Sequence, residues 1–341
     1  PEFKGESLQI NASGNLTVYR RYFKNYNGYP GKVLNVLRYI IFQFALYRKI
    51  KQEHGVPSIA HVHVMARSSI LAHWLQRTKK VPFIVSEHWG GYYPESGKLS
   101  GFKKKIYAFL LNRADGISAV SDSLAKAIKN IGVKKDIVVI PNVINPVFLA
   151  TSFKDAPADR INIIHISTLV KEIKRVDVII ETLEIVSRDY REIYLTVVGD
   201  GPDRKSLKDL ARHQKNMKNK IRFTGDIEQE DIALLLQESH FSVSFSKYET
   251  QSIVLIESIA MGVPVVAPEV GGIPEHFNDK GIIFEADSDK ELERAIRKMI
   301  SGKNDFDKNE MREYARKHFS HQIVNEQFAD LYESIAIKSN A

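Results

Sequence analysis

Ser246-Lys247-Tyr248-Glu249-Thr250-Gln251-Ser252, with the apolar run to Met261 and then Gly262-Val263-Pro264-Val265-Val266-Ala267, is the stretch from which the fold can be read. Phe241 to Phe245 is a predicted strand, the polar segment opens a predicted helix ending near Met261, and Val263 to Ala267 is the next strand. Strand, turn, helix, strand is the wiring of a parallel α/β sheet. A helix N-terminus gathers backbone N–H groups and attracts anions; Thr250, Gln251 and Ser252 add short donors where a diphosphate would lie. Glu257 follows Glu249 by eight positions, on the order of 10 to 12 Å along a helix. That exceeds the roughly 5 to 9.5 Å between carboxyls that flank one glycosidic bond. It suits two carboxylates at opposite ends of a nucleotide sugar, one on sugar hydroxyls and one on ribose hydroxyls. On spacing alone, two solvated helix carboxylates remain the alternative, since glutamates eight apart recur by chance in most proteins.

Outward from this segment the same wiring repeats. Downstream of Arg160, strands are expected at Ile161 to Ile166, Ile193 to Val198, Ile221 to Thr224 and Gly281 to Phe284, interleaved with helices. Upstream, Gly31 to Gln52 carries apolar residues at three- and four-residue steps and predicts an amphipathic helix. Strands follow near Ile59 to Met65, Val81 to Ser86, Gly116 to Val120 and Asp136 to Ile140. The proline-bearing stretch Asn145 to Arg160 reads as an interdomain linker. Binding groups in such sheets sit just beyond the carboxyl ends of strands. That rule selects Ser86-Glu87-His88, Ser167 to Lys174, Gly199 to Pro202, Gly225, Ser246 to Ser252 and Pro268 to Glu275.

A chain of 341 residues exceeds one ordinary core and predicts two domains. With 43% hydrophobic and 26% charged residues it reads as globular, and the absence of cysteine excludes disulfides, thiolate zinc sites and cysteine nucleophiles and fits a cytoplasmic setting. The net charge of +8 fits an anionic ligand or membrane surface; no zinc-finger spacing or aromatic RNA-binding strand points to nucleic acid. No uninterrupted apolar run approaches the ~20 residues of a membrane helix. The opening Pro1-Glu2-Phe3 has no initiator Met, and a cut end is expected there.

Five segments in order carry a resemblance: Ala114-Asp115-Gly116-Ile117-Ser118-Ala119-Val120-Ser121, Val139-Ile140-Pro141-Asn142, Val198-Gly199-Asp200-Gly201-Pro202, Phe223-Thr224-Gly225 and the double-glutamate segment. On these the chain resembles the retaining glycosyltransferases of family 4, also called group 1, from about His61 onward. The resemblance implies an α/β GT-B fold of two Rossmann-like domains facing a central cleft. Expected are an acceptor-side domain at 1–148 lacking its first strand, glycine-rich turn and helix, a donor domain at 149–320, and a final helix within 321–341 returning to the first.

The resemblance implies roles position by position. Glu249, Lys174 and His88 are the expected catalytic residues, on donor-sugar hydroxyls, on the diphosphate and against the transferred sugar. Glu257 is the expected ribose ligand, with Gly199, Gly201, Thr224, Thr250, Gln251 and Ser252 also donor-binding. Family members pair the lysine with an arginine, but that slot reads Ser167-Thr168-Leu169, and Lys171 is the expected substitute. The usual Gly-Phe-Gly after the first glutamate is replaced by Thr250-Gln251-Ser252.

The implied reaction moves a sugar from a nucleoside diphosphate, UDP or GDP first, to an acceptor hydroxyl with retention, without metal or bound cofactor. His61 and His63 share a strand face but have no third metal ligand at useful spacing. The implied setting is polysaccharide, lipopolysaccharide or glycolipid synthesis of bacterial type, with a sugar or lipid-linked glycan acceptor. Lys103, Lys104 and Lys105 beside Phe102, Ile106 and Phe109 suggest peripheral contact with the inner membrane face. The alternatives are a non-catalytic sugar-nucleotide-binding scaffold, which would bind donor without transfer, and a GT-B epimerase, which would interconvert donor without acceptor.

Overall fold

The computed structural model describes residues 7–65, 67–302 and 305–340; Pro1-Glu2-Phe3 lies outside them. The chain separates into two compact units, one comprising residues up to Glu87, Phe109–Ile117 and the chain from Tyr332 on, the other His88–Ala108 and Ser118–Leu331.

In the first unit, β1 (Ser7–Ser13) and β2 (Leu16–Tyr22) form an antiparallel hairpin in register from Ser7↔Tyr22 to Ser13↔Leu16. The apolar-period reading had no element there, because this two-stranded ribbon leaves most of its side chains partly or fully exposed. Then come α1 (Gly28–His54), β3 (Ala60–His63), α2 (Ser69–Lys79) and β4 (Phe83–Glu87). Strands β3 and β4 are parallel, with Ala60 opposite Phe83 and His63 opposite Ser86. Tyr47 of α1 packs with Leu75 and Val81, and Phe44 meets Trp74 edge-on at 5.3 Å. His61 is tied by its two ring nitrogens to Tyr332 and Ser86, each at 2.7 Å. Among the described residues no three His, Asp or Glu side chains gather as a metal site.

Helix α3 (Gly101–Leu111) and strand β5 (Gly116–Ala119) run from one unit into the other. The second unit continues with α4 (Asp122–Asn130), the short β6 (Val138–Val139) and α5 (Pro146–Ala150), a helical turn inside the expected linker. Asn145 caps it, its side chain accepting from the Val147 N–H at 3.0 Å.

A six-stranded sheet follows: β7 (Ile161–Ile166), β8 (Ile193–Val198), β9 (Ile221–Gly225), β10 (Phe241–Val243), β11 (Val265–Pro268) and β12 (Gly281–Phe284). The helices between and after these strands are α6 (Lys171–Lys174), α7 (Val176–Val186), α8 (Arg204–His213), α9 (Gln229–Gln237), α10 (Ile253–Ala260), α11 (Pro274–Phe277), α12 (Asp289–Ser301), α13 (Lys308–Phe319) and α14 (His321–Asn340).

The spatial order β9-β8-β7-β10-β11-β12 is the doubly wound Rossmann order. Alternation along each strand feeds both faces: Ile163, Val197 and Val266 enter one core with α7 and α12, whereas Ile164, Val198 and Val265 enter the other with α10 and α13. The order reverses between β7 and β10, so the loops after these strands flank the crevice where such sheets bind ligands. The loop after β7 leads to Lys174, and the loop after β10 carries Glu249.

Candidate active site

At that reversal the Lys174 ammonium is ion-paired with Glu249 Oε1, and the Ser246 hydroxyl donates to the same oxygen at 2.9 Å. Both side chains are mostly shielded, 20% exposed for Lys174 and 12% for Glu249, so each charge depends on the other. The segment that holds Glu249 is clamped by Gly271, whose φ is +53° and where an added Cβ would stand 1.6 Å from the Glu249 carbonyl oxygen. Gly271→Ala is expected to cost about 2 kcal/mol or more, seen as a fall in unfolding temperature, because Ala meets both the left-handed backbone and that oxygen. An unchanged melt would show that the loop gives way freely.

Glu257 lies on α10, 5% exposed, with no hydrogen bond to its carboxylate among the described residues. Burial alone pushes its pKa from the ordinary 4.5 up to about 7. A buried carboxylate without a partner is the expected state of a group that awaits hydroxyl donors.

His88 donates from Nδ1 to the Asn142 side-chain oxygen at 3.0 Å, so that in the neutral ring Nε2 is the acceptor nitrogen. The Asn142 N–H in turn donates to Gln251 Oε1 at 2.7 Å. Gln251 is fully buried, with its Oε1 taken by the Asn142 N–H and its Nε2 without a partner among the described residues. Ser252 precedes α10 at φ +65°, 7% exposed and also without a partner for its hydroxyl among them. The Thr250 carbonyl accepts from the Ser121 hydroxyl at 2.6 Å, and Glu275 accepts from the N–H groups of Asp122 and Ser123 at 2.9 and 2.7 Å. These ties from Ser121, Asn142 and Glu275 escape sequence reading because their partners lie more than a hundred residues away.

Lys171 is turned to Asp177 at 3.4 Å, and the structure does not bring its ammonium to Glu249. Gly199 sits at φ +118° with a virtual Cβ 2.0 Å from the Ser167 carbonyl, so it lets the turn after β8 lie on the turn after β7. Gly201 similarly abuts the Leu169 carbonyl, and the Thr224 hydroxyl donates to the Gly225 carbonyl at 2.8 Å. His165, missed in the sequence, is buried and neutral, its pKa held at about 4 chiefly by burial. It donates to the Val243 carbonyl at 2.8 Å and accepts from Ser167 at 2.7 Å, fixing the turn where an arginine was expected.

Two family profiles match in tandem, Glycosyltransferase Family 4 over residues 12–148 and Glycosyl transferases group 1 over 151–318. The chain belongs to the group 1 glycosyltransferases of family 4. A phosphatidylinositol N-acetylglucosaminyltransferase subunit of Arabidopsis thaliana is 26% identical to this glycosyltransferase over 202 residues, 59% of this chain but only 45% of that protein's length. N-acetyl-alpha-D-glucosaminyl L-malate synthase of Bacillus anthracis is 25% identical over 324 residues, 89% of this chain and 82% of that one. The crystal structure of Anabaena HepE in complex with UDP-glucose shares the GT-B fold at a TM-score of 0.68 and 20% identity, covering 80% of this chain and 78% of that one. Among the described residues of this glycosyltransferase, no helix is long and apolar enough to cross a membrane.

Proposed function

We propose that this glycosyltransferase moves a sugar from UDP to an acceptor hydroxyl with retention of configuration, in the synthesis of a cell-surface polysaccharide, lipopolysaccharide or glycolipid. The carrying observation is the Lys174–Glu249–Ser246 cluster at the strand-order reversal, with the partnerless Glu257 eight residues on. Glu257 would accept from the ribose hydroxyls, Lys174 would leave Glu249 for the diphosphate, and Glu249 would then hold sugar hydroxyls. His88, through Nε2, would accept from a hydroxyl of the transferred sugar. UDP is favoured because HepE, of the same fold, is named as a complex with UDP-glucose, and the relatives named for N-acetylglucosaminyl transfer point to an amino-sugar donor. We assign the acceptor side to residues 1–148, the donor side to 149–320 and the return to the acceptor side to 321–341.

The reaction breaks the bond from the anomeric carbon to the β-phosphate oxygen and forms one to the acceptor oxygen on the same face, and the acceptor proton passes to the departing phosphate. No enzyme nucleophile or metal enters this scheme. Charge grows on the diphosphate in the transition state, where Lys174 gains most. The exposed faces of α3, with Phe102 75% and Phe109 59% exposed among lysines, are the proposed contact with an anionic membrane surface. Flotation with neutral and anionic vesicles checks it, and equal recovery from both would remove it.

The testing experiment is a calorimetric screen of UDP, GDP, ADP and their sugar conjugates. UDP and a UDP-sugar are expected to bind and the other two nucleotides to bind far more weakly. Folded protein that binds none of them would end the reading.

A further inference from the structure

A cavity of about 250 Å³ is lined by Tyr92, Tyr93, Glu95, Lys104, Lys126 and Asn130, none of which belongs to the donor cluster. It is smaller than the roughly 300 to 1,000 Å³ of pockets that enclose a drug-sized ligand, so it suits one headgroup rather than a whole sugar nucleotide. Its lysines come from two helices. On α3, Lys104 is half-buried where Lys103 and Lys105 are exposed, so the middle lysine of the triplet is the one turned inward. From α4, the exposed Lys126 joins it; neither ammonium has a carboxylate within salt-bridge distance among the described residues, and the Glu275 carboxylate is near enough to Lys126 to interact with it electrostatically. Among the residues that line the cavity, two lysines stand against the single carboxylate of Glu95, with Glu275 next to the cavity on the Lys126 side.

The cavity adjoins the donor cluster through one turn. Tyr93 lines it and donates to Ser123 at 3.2 Å, and the same turn begins with His88. An added Cβ on Gly90 would lie 3.1 Å from the Tyr248 ring and 3.7 Å from the Thr250 methyl, so the turn packs on the segment that carries Glu249. Burial first, then the nearby charges of Glu275 and Glu249, hold the Tyr93 hydroxyl above its ordinary pKa and keep it a neutral donor.

We propose that this cavity receives a phosphate group of the acceptor, with Lys104 and Lys126 as its cations and the reacting hydroxyl directed toward Glu249 and His88. The assignment rests on the glycosyl-transfer reading. Lysine ammoniums are point charges suited to a phosphate that is held without fixed orientation. The phosphate is that of a lipid headgroup or of a soluble phosphorylated polyol, the same chemistry from two sources.

Calorimetry with sn-glycerol 3-phosphate, with glycerol as neutral control and UDP titrated separately, tests it. Glycerol 3-phosphate is expected to bind and glycerol not. Lys104→Gln and Lys126→Gln should each weaken it about tenfold, while Glu95→Gln should tighten it, with UDP binding unchanged in all three. If vesicles of phosphatidylcholine with phosphatidylglycerol are bound in a Lys104- and Lys126-dependent way and the soluble probe binds only weakly, the source is a headgroup; the reverse pattern makes it a soluble acceptor. The proposal falls if neither probe responds to the lysine variants of protein that melts normally, or if Glu95→Gln weakens binding as they do. Folded protein that binds glycerol 3-phosphate but no UDP would keep the anion site and remove the transfer reading instead.

Discussion

Glu257→Gln is expected to weaken UDP binding about 30- to 100-fold at pH 8 and, at the same pH, to raise the unfolding temperature. Loss of charge-assisted hydrogen bonds to a ribose diol, about 2 to 3 kcal/mol, sets the first figure. The second follows from linkage. The folded-state pKa of about 7 lies above the ordinary 4.5, so the stability this carboxyl contributes is fully present below about pH 4.5 and is lost as pH rises through 7. At pH 8 the buried charge costs on the order of 3 kcal/mol, which a neutral amide of the same shape avoids. The gain should vanish near pH 4.5, where the carboxyl is already neutral. Wild-type affinity for UDP should rise between about pH 5.5 and 7.5 beyond any rise seen in the variant, because the diol is held by the ionised form. Thermal melts and titrations of both proteins at the two pH values read all of this, and equal UDP affinity in the two would take Glu257 out of the donor site.

Lys174→Ala is expected to lower turnover by about 10²- to 10³-fold, more than it weakens UDP binding, because the ammonium meets charge that develops as the diphosphate departs. Slow hydrolysis of a UDP-sugar provides a readout that needs no acceptor. The same substitution leaves Glu249 shielded and without its cation, so a loss of stability of about 1 to 3 kcal/mol accompanies it. Glu249→Gln combined with Lys174→Ala should restore much of that stability and none of the turnover. A double variant as unstable as the single one would mean that the pair does not carry the coupling assigned to it.

The wiring of the donor sheet was legible because its strands are apolar runs buried on both faces and its helices repeat at 3.6 residues, so Ile161 to Ile166 or Val176 to Val186 announces its own burial. The hairpin at Ser7 to Tyr22 was not, since a ribbon with most side chains exposed at least in part writes no such period. Glu249, Glu257 and Lys174 were legible as residues after strands or on the helix that follows. Gln251 shows where that method stops: adjacency to Thr250 and Ser252 suggested a shared role, and only the fold reveals its oxygen spent on the Asn142 N–H.

By itself, then, the amino-acid sequence determined the α/β class, the strand and helix succession and the spacing of the two glutamates, all of which depend on neighbours a few residues apart. The tertiary structure alone decided that Lys174 pairs with Glu249 while Lys171 turns to Asp177, which nitrogen of His88 faces away from Asn142, how far burial lifts Glu257, and that Lys104 points into a cavity between exposed lysines. Charge, tautomer and pKa depend on what surrounds a group within a few ångströms, and chain segments remote in sequence supply those surroundings only once the sheets have formed.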